Sequence, residues 1–212
     1  MNNTCTLCHN QTEIYSQPGA LGQPLHLCPN CELIFVASDL WPTADSERIR
    51  YLQHNNSPDE SGYLSFLNRA VAPTLTFLQP KMTAIDYGCG PGPAIEVLLK
   101  EQNISCVNYD PIFFPEWPLE TFDVIFATEC IEHFHKPEAS FRLMLSLLKP
   151  GGILALMTHP YEDDTDFTKW YYTKDETHVS FYHKKTFSFI ASYFNLELLV
   201  VPEKRVYIFR KK

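Results

Sequence analysis

The sequence predicts an α/β protein, with a mostly parallel sheet covered on both faces, an antiparallel C-terminal strand pair and a small metal-organised module at the N-terminus. Three observations carry that prediction. Four of the seven cysteines fall within the first 31 residues, as two Cys-x2-Cys pairs. From residue 82 onward, short apolar runs alternate with stretches of helical periodicity, and the first run ends in a glycine loop. The last two apolar runs are joined only by Pro202-Glu203-Lys204, too short a link to cross over, so those strands must pair antiparallel.

The N-terminal pairs are Cys5-x2-Cys8 and Cys28-x2-Cys31. Two residues between thiolates let one tight turn aim both sulfurs at a single ion, and two such turns complete a tetrahedral zinc site. Disulfides or scattered free thiols are the alternative, disfavoured by a cytoplasmic setting. Four sulfurs leave no open position, so the expected zinc is structural, with His9 and His26 as bystanders. About 40 residues can hardly hold a fold by apolar burial alone, and metal binding supplies what is missing. Residues 1–40 are therefore read as a zinc ribbon. Residues 41–60 are polar and read as a linker with one short helix. Ser57-Pro58-Asp59-Glu60 has the form of a cap followed by proline at the first helical position. It predicts a helix running towards Gln79 along Leu64, Leu67, Val71, Leu75 and Leu78, kinked at Pro73.

Residues 61–212 form the main domain. Met82–Tyr87 is a strand, Gly88-Cys89-Gly90-Pro91-Gly92 the loop, and Pro93 opens a helix with Ile95, Leu98 and Leu99 on one face. The glycines permit positive φ and close approach of a ligand, and the helix N-terminus offers N–H groups to an anion. A second strand, Ile104–Tyr109, ends at Asp110, where an acidic side chain can accept from both hydroxyls of a ribose. The strand Phe122–Ala127, helix Pro137–Leu148, turn Lys149-Pro150-Gly151-Gly152 and strand Ile153–Thr158 follow. A helix near Lys185–Tyr193 and strands Leu196–Val201 and Arg205–Phe209 close the chain. The loop spacing is G-x-G-x-G after Asp86, not the G-x-G-x-x-G of dinucleotide folds.

AIDYGCGPG, YDP, FDVIFATECIEHF and LLKPGGILALMT together resemble class I S-adenosylmethionine (SAM)-dependent methyltransferases over residues 82–212. The resemblance implies the Rossmann-like methyltransferase sheet with its antiparallel C-terminal hairpin. It implies that Asp86, Gly88 and Gly90 frame the methionine part of SAM and that Asp110 holds the ribose. Thr128 and Glu129 would line the methyl-donor end, and His133, in the E-x-x-E-H segment, would face the pocket mouth. The chain departs from the family pattern after Asp110. Only eleven residues precede Phe122, too few for a helix and the usual third strand, so a six-stranded sheet is expected. The usual adenine-binding acid is then missing, and Pro111, Ile112, Phe113 or Trp117 would wall the adenine instead.

Methyl transfer from a sulfonium is chiefly a matter of positioning, with a base needed only when the acceptor must lose a proton. His133 and His178 are the candidate catalytic residues, with His135 also near. The insertion at residues 160–182 is dense in aromatics and follows a strand's C-terminal end, where open α/β sheets bind ligands. It resembles an insertion in some bacterial members of the family, which implies a cover over the active site. His159, Tyr161, Trp170, Tyr171 and Asp175 are the candidate substrate residues. Aromatics after a strand also serve as plain core, and Cys89, Cys106 and Cys130 read as small core fillers.

Composition bounds the function. Hydrophobic residues make up 45% of the 212, enough for a proper core, and no apolar run approaches the ~18 residues of a membrane span. The N-terminus lacks a basic stretch followed by an apolar one, so a cytoplasmic protein is expected. With 17 basic against 25 acidic residues and Arg48 as the first cation, nucleic acid is an unfavoured partner. The leading expectation is an enzyme methylating O or N of a small-molecule acceptor, with SAM and a structural zinc. An rRNA methyltransferase, an NAD-dependent oxidoreductase and a non-catalytic protein docking a protein partner through the ribbon are the competing readings.

Overall fold

The computed structural model describes residues 4–53 and 56–212; His54 and Asn55, within the 41–60 segment, lie outside the described residues. Two sheets organise them. The small one contains β1 (Glu13–Ile14), β2 (Leu25–Leu27) and β3 (Ile34–Val36), all antiparallel. Its fourth strand comes from far along the chain: β8 (Ser180–Phe181) pairs antiparallel with β3, Ile34 opposite Phe181. The 41–60 segment carries α1 (Ala44–Tyr51), capped by Thr43, whose hydroxyl accepts from the Ser46 amide at 3.2 Å. No residue of α1 is buried.

The large sheet has the order β5-β4-β6-β7-β10-β9. Its parallel strands are β4 (Thr83–Tyr87), β5 (Ser105–Tyr109), β6 (Phe122–Thr128) and β7 (Leu148–Met157). The last two strands, β9 (Leu196–Glu203) and β10 (Val206–Lys211), pair antiparallel, and β10 also runs antiparallel to β7. The expected six strands are present, and residues 111–121 contribute none.

Period-two alternation splits the core cleanly. Ile125, Ala127, Leu154, Leu156, Tyr207 and Phe209 face α4 (Pro137–Ser146) and α5 (Lys184–Tyr193), together with buried Cys5, Cys28 and Cys31. Val124, Phe126, Ile153, Ala155, Val206 and Ile208 face α2 (Ser61–Thr74) and α3 (Ile95–Lys100). A third buried cluster joins Leu25, Ile34 and Val36 to Tyr161, Phe167, Tyr172 and Phe181 of the insertion. No helix among the described residues is long and apolar enough to cross a membrane.

Several boundaries differ from expectation, each for a local reason. The helix expected from Ser57 begins at Ser61, because the Ser57 hydroxyl and carbonyl accept from the Asp59 and Glu60 amides and hold a turn there. That turn carries the chain across the glycine loop: a Cβ on Gly92 would lie 2.0 Å from the Asn56 carbonyl oxygen. Pro73 lies in the last turn of α2, which tightens into a 3-10 turn at Leu75–Phe77 instead of continuing to Gln79. The helix expected from Pro93 is only the six residues of α3. The predicted turn at Lys149–Gly152 is absorbed into β7 as an irregularity in its pairing with β6, with Gly151 at φ 75°.

Candidate functional site

The cysteines come first, since their turns are built alike. The Cys5 carbonyl accepts from the His9 amide at 3.1 Å, and the Cys28 carbonyl accepts from the Glu32 amide at 2.8 Å. His9 and Glu32 both take left-handed φ, 60° and 55°. Each Cys-x2-Cys segment is thus the same knuckle, closed by a residue that reverses the chain. Cys5 Sγ lies 3.6 Å from Cys31 Sγ, and Cys8 Sγ lies 3.3 Å from Cys28 Sγ. A tetrahedron of sulfurs at the usual ~2.3 Å from zinc has edges of about 3.8 Å, so the four fit one ion with a slight expansion. Bare thiols resist charging together: a hydrogen bond from Cys31 brings Cys5 down to about 5, and that same bond, with burial, drives Cys31 far up. A divalent ion removes that conflict.

The main cavity, of about 1180 Å³, lies at the C-terminal ends of β4, β5 and β6. That volume exceeds the ~300–1,000 Å³ usual for one drug-sized ligand, which suits a nucleotide with a second molecule beside it. At one end stand Asp86, Gly88, Cys89, Gly90, Asp110 and Pro111. Gly88 and Gly90 adopt φ 77° and 64°. A Cβ on Gly88 would meet Cys130 Cβ at 2.6 Å, whereas beside Gly90 there is open space. The Gly90 amide donates to Asp110 Oδ2 at 3.0 Å, and the Ile112 and Phe113 amides donate to Oδ1 at 2.8 and 3.1 Å. These bonds fix the carboxylate and take three of its four lone-pair sites, leaving one on Oδ2 for a ligand hydroxyl. Asp86 is buried, and its Oδ1 has no hydrogen-bond partner among the described residues. Burial, then the charges of Asp110 and Glu96, pushes its carboxyl up to about 7.

The other end is built from the loop after β6 and from the insertion. Thr128 and Glu129 border the middle of the cavity. Glu129 turns at φ 47° while its amide still donates to the Met157 carbonyl at 2.7 Å, a strained conformation of the kind found at ligand sites. Burial and the neighbouring Glu132 raise its carboxyl to about 8, against a pull from Arg205 at 3.9 Å. His133 Nδ1 donates to the Thr177 carbonyl at 2.9 Å and His178 Nδ1 to the Tyr172 carbonyl at 2.8 Å. The two rings meet edge to face at 4.8 Å. With both Nδ1 atoms donating, the lone pairs sit on Nε2. Burial, and then His178, holds His133 down at about 4, so it is neutral at physiological pH. Glu132, His133 and His178 each bring a ligand atom within 4.8 Å of the others, so this trio could hold a divalent ion.

Among the expected substrate residues, Tyr171 and Asp175 line this cavity, but His159, Tyr161 and Trp170 do not. The Tyr161 hydroxyl donates to the Glu32 carbonyl at 2.6 Å, and its ring packs on Phe167 and His183, which makes it core of the N-terminal module. Trp170 packs on Phe167, Tyr172 and Phe181. His159 sits outside, bonded to Tyr171 and Arg205, in a shallow depression of about 370 Å³. Phe113 and Trp117 are likewise absent from the cavity wall, and Trp117 packs edge to face on Tyr109.

Sequence reasoning missed four contributors. Buried Tyr172 donates to Glu132 and stands 2.8 Å from the Thr158 hydroxyl, which donates in turn to Glu132 Oε2 at 2.9 Å. Arg50 of α1 pairs with Asp175 at 2.8 Å. Trp41 stacks on His135 at 4.6 Å, and Glu47 pairs with His135 at 3.2 Å. The 41–60 segment carries three of these four, and its missing apolar periodicity, which reads as linker, is what a polar cavity wall looks like in sequence.

A family model described as a methyltransferase domain matches residues 43–201. A curated relative, the ubiquinone biosynthesis O-methyltransferase of Colwellia psychrerythraea, is 33% identical over 88 residues, which is 40% of this chain and 35% of that enzyme. The match thus spans about a third of the relative's length. Two solved structures share the fold. Magnesium protoporphyrin IX methyltransferase from Synechocystis PCC 6803 has a TM-score of 0.53 at 12% identity, over 82% of this chain and 97% of that one. The 1,6-didemethyltoxoflavin-N1-methyltransferase of Burkholderia thailandensis has a TM-score of 0.52 at 14% identity, over 87% and 98%. Both were solved with bound S-adenosylhomocysteine. With the glycine loop, the acid after β5 and the antiparallel C-terminal pair in one sheet, this chain belongs to the methyltransferase-domain family, in the class I SAM-dependent fold.

Proposed function

We propose that the protein transfers the methyl group of SAM to an oxygen, or else a nitrogen, of a small acceptor. The observation that supports this reading most is that one cavity runs from Asp86, Gly90 and Asp110 to His133, His178 and Tyr172. When bound, SAM supplies an electrophilic methyl on a positive sulfur. The anchored carboxylate of Asp110 would accept a ribose hydroxyl on Oδ2, and the bare backbone at Gly88 and Gly90 would admit the methionine part. Asp86, which borders the cavity, would offset the ammonium charge, and Pro111 with Ile112 would wall the adenine. Thr128 and Glu129 would border the sulfur, with Glu129 offsetting the cation's charge when ionised.

At the acceptor end, Asp175 is held by Arg50, and the two histidines are held by backbone carbonyls with Nε2 as the proton-accepting atom. His178 or His133 takes the acceptor's proton as the oxygen attacks, and Glu132 stabilises the imidazolium that results. Glu132, His133 and His178 would instead polarise the oxygen if they hold a cation. The curated relative's naming as an O-methyltransferase favours oxygen. Four cysteine ligands leave zinc no open position, so its part is structural.

Calorimetric titration with SAM, S-adenosylhomocysteine and NAD tests the donor. The first two should bind in the micromolar range, roughly 7–9 kcal/mol, and NAD should not bind. Incubating the enzyme with SAM and pools of hydroxylated and amino acceptors should then release S-adenosylhomocysteine. Binding of NAD without SAM would overturn the reading. Tight SAM binding with no turnover on any pool, cell extract included, would convert the protein to a SAM-dependent docking partner.

A further inference from the structure

Resting on that reading, we infer that the four-cysteine module is the scaffold of the acceptor half of the cavity, and that its metal governs acceptor binding without governing nucleotide binding. The wall segment from Tyr171 to Phe181 carries Tyr172, Asp175 and His178 and has little regular structure of its own: one 3-10 turn and the two residues of β8. It is tied to the module at both ends. At its start, Thr173 Oγ1 accepts from the Ala20 amide at 3.0 Å, and the Thr173 carbonyl accepts from Gln23 Nε2 at 3.0 Å. At its end, the Val36 amide donates to the Val179 carbonyl at 2.9 Å, and β8 pairs with β3.

The knuckle itself takes part in this. Glu32, the left-handed residue that closes the second knuckle, accepts on its carbonyl from the Tyr161 hydroxyl at 2.6 Å and the Thr186 hydroxyl at 3.0 Å. Its carboxylate lies 2.7 Å from His183 Nδ1. Further back, the Phe167 amide donates to Gln17 Oε1 at 2.9 Å. The insertion is thus bonded to the module at Gln17, Ala20, Gln23, Glu32 and Val36. By contrast, no hydrogen bond among the described residues joins residues 4–40 to the glycine loop or to β5. The nucleotide end rests on parallel strands with their own ladder, while the acceptor wall divides its bonds between the loop after β6 and the short sheet whose hairpins the sulfur cluster would hold in place. At that loop, the Val179 amide donates to the Glu132 carbonyl at 2.9 Å and the Ser180 hydroxyl to the Phe134 carbonyl at 2.8 Å. Elements with few contacts of their own open first when a support is removed.

The test is hydrogen exchange, with a parallel titration of S-adenosylhomocysteine, on the zinc-loaded protein and on the same protein stripped by a strong chelator. Backbone protection across residues 171–181 should fall at least tenfold on stripping. Protection in β4 and β5, and S-adenosylhomocysteine affinity, should stay within about threefold. Unchanged protection in residues 171–181 would overturn the inference. So would loss of β4 and β5 protection together with nucleotide binding, which would make the module the folding nucleus of the whole chain. Gln23→Leu keeps all four cysteines but cuts the bond to Thr173. It should raise exchange at 171–175 several-fold with zinc content unchanged, and no change there would count against the scaffold. If S-adenosylhomocysteine fails to bind the loaded protein at all, the methyltransferase reading falls, while the exchange comparison still decides the scaffold.

Discussion

Nucleotide affinity should depend on pH through Asp86. Its Oδ1 is buried without a partner, and burial, with Asp110 and Glu96 nearby, brings its carboxyl to about 7. SAM carries a sulfonium and an ammonium, so it favours the ionised carboxylate and binding expels the proton. With a pKa of about 7, the ionised fraction is about 1/11 at pH 6 and about 10/11 at pH 8. Apparent affinity should therefore rise about tenfold over that interval, worth ~1.4 kcal/mol. Calorimetry at pH 6, 7 and 8, in buffers of different ionisation enthalpy, reads both the affinity and the released proton. S-adenosylhomocysteine, which keeps the ammonium but lacks the sulfonium beside Glu129, should keep the slope due to Asp86 and lose only what Glu129, raised to about 8, adds for SAM. Asp86→Asn should bind SAM more weakly with a shallower slope, and should lose the slope for S-adenosylhomocysteine. A flat wild-type profile, or an equal slope in Asp86→Asn, would refute the reasoning. The same shift acts on stability in the ligand-free protein. The folded pKa lies above the unfolded value of about 3.9, so ionisation costs the folded state. This contribution is intact below pH ~4 and is lost as pH rises through about 7.

Other consequences follow from single contacts. Gly92→Ala places a Cβ 2.0 Å from the Asn56 carbonyl oxygen, so backbone must move; urea denaturation should show a loss of at least ~2 kcal/mol. Tyr172→Phe removes a donor from buried Glu132 and should cost ~1–3 kcal/mol, a fall in Tm of roughly 3–10 °C. His178→Ala and His133→Ala should leave S-adenosylhomocysteine affinity within about threefold while lowering turnover by ~10²-fold or more, read by product release once an acceptor is found.

The sheet was legible because its signal is local: apolar runs of five to ten residues, a glycine loop between the first strand and its helix, and a three-residue link that forbids a crossover. The pruned edge was legible from chain length alone, since eleven residues after Asp110 cannot hold a helix and a strand. The nucleotide end was readable for the same reason, because its residues sit at strand ends within one motif. The acceptor end was not. Tyr161, Tyr171 and Tyr172 look alike as letters, yet the first is core of the cysteine module, the second a cavity rim and the third a buried donor to Glu132. Which way each turns depends on β3, which starts 127 residues before Tyr161 and is invisible to any local pattern. Arg50 and Glu47 escaped because their partners, Asp175 and His135, lie far along the chain and a charged helix with no buried residue reads as solvent-facing.

The pairing of β3 with β8 also sets an order of events during synthesis. The cysteine knuckles leave the ribosome early, but the strand that completes their sheet lies 144 residues after Val36, at Ser180. At about 5–20 residues per second that is a wait of roughly 7–30 s. For that interval β3 presents a bare edge built from Ile34, Phe35 and Val36, residues that become buried in the finished protein. Cells short of zinc, or making the chain slowly, should therefore lose it first to aggregation of nascent chains.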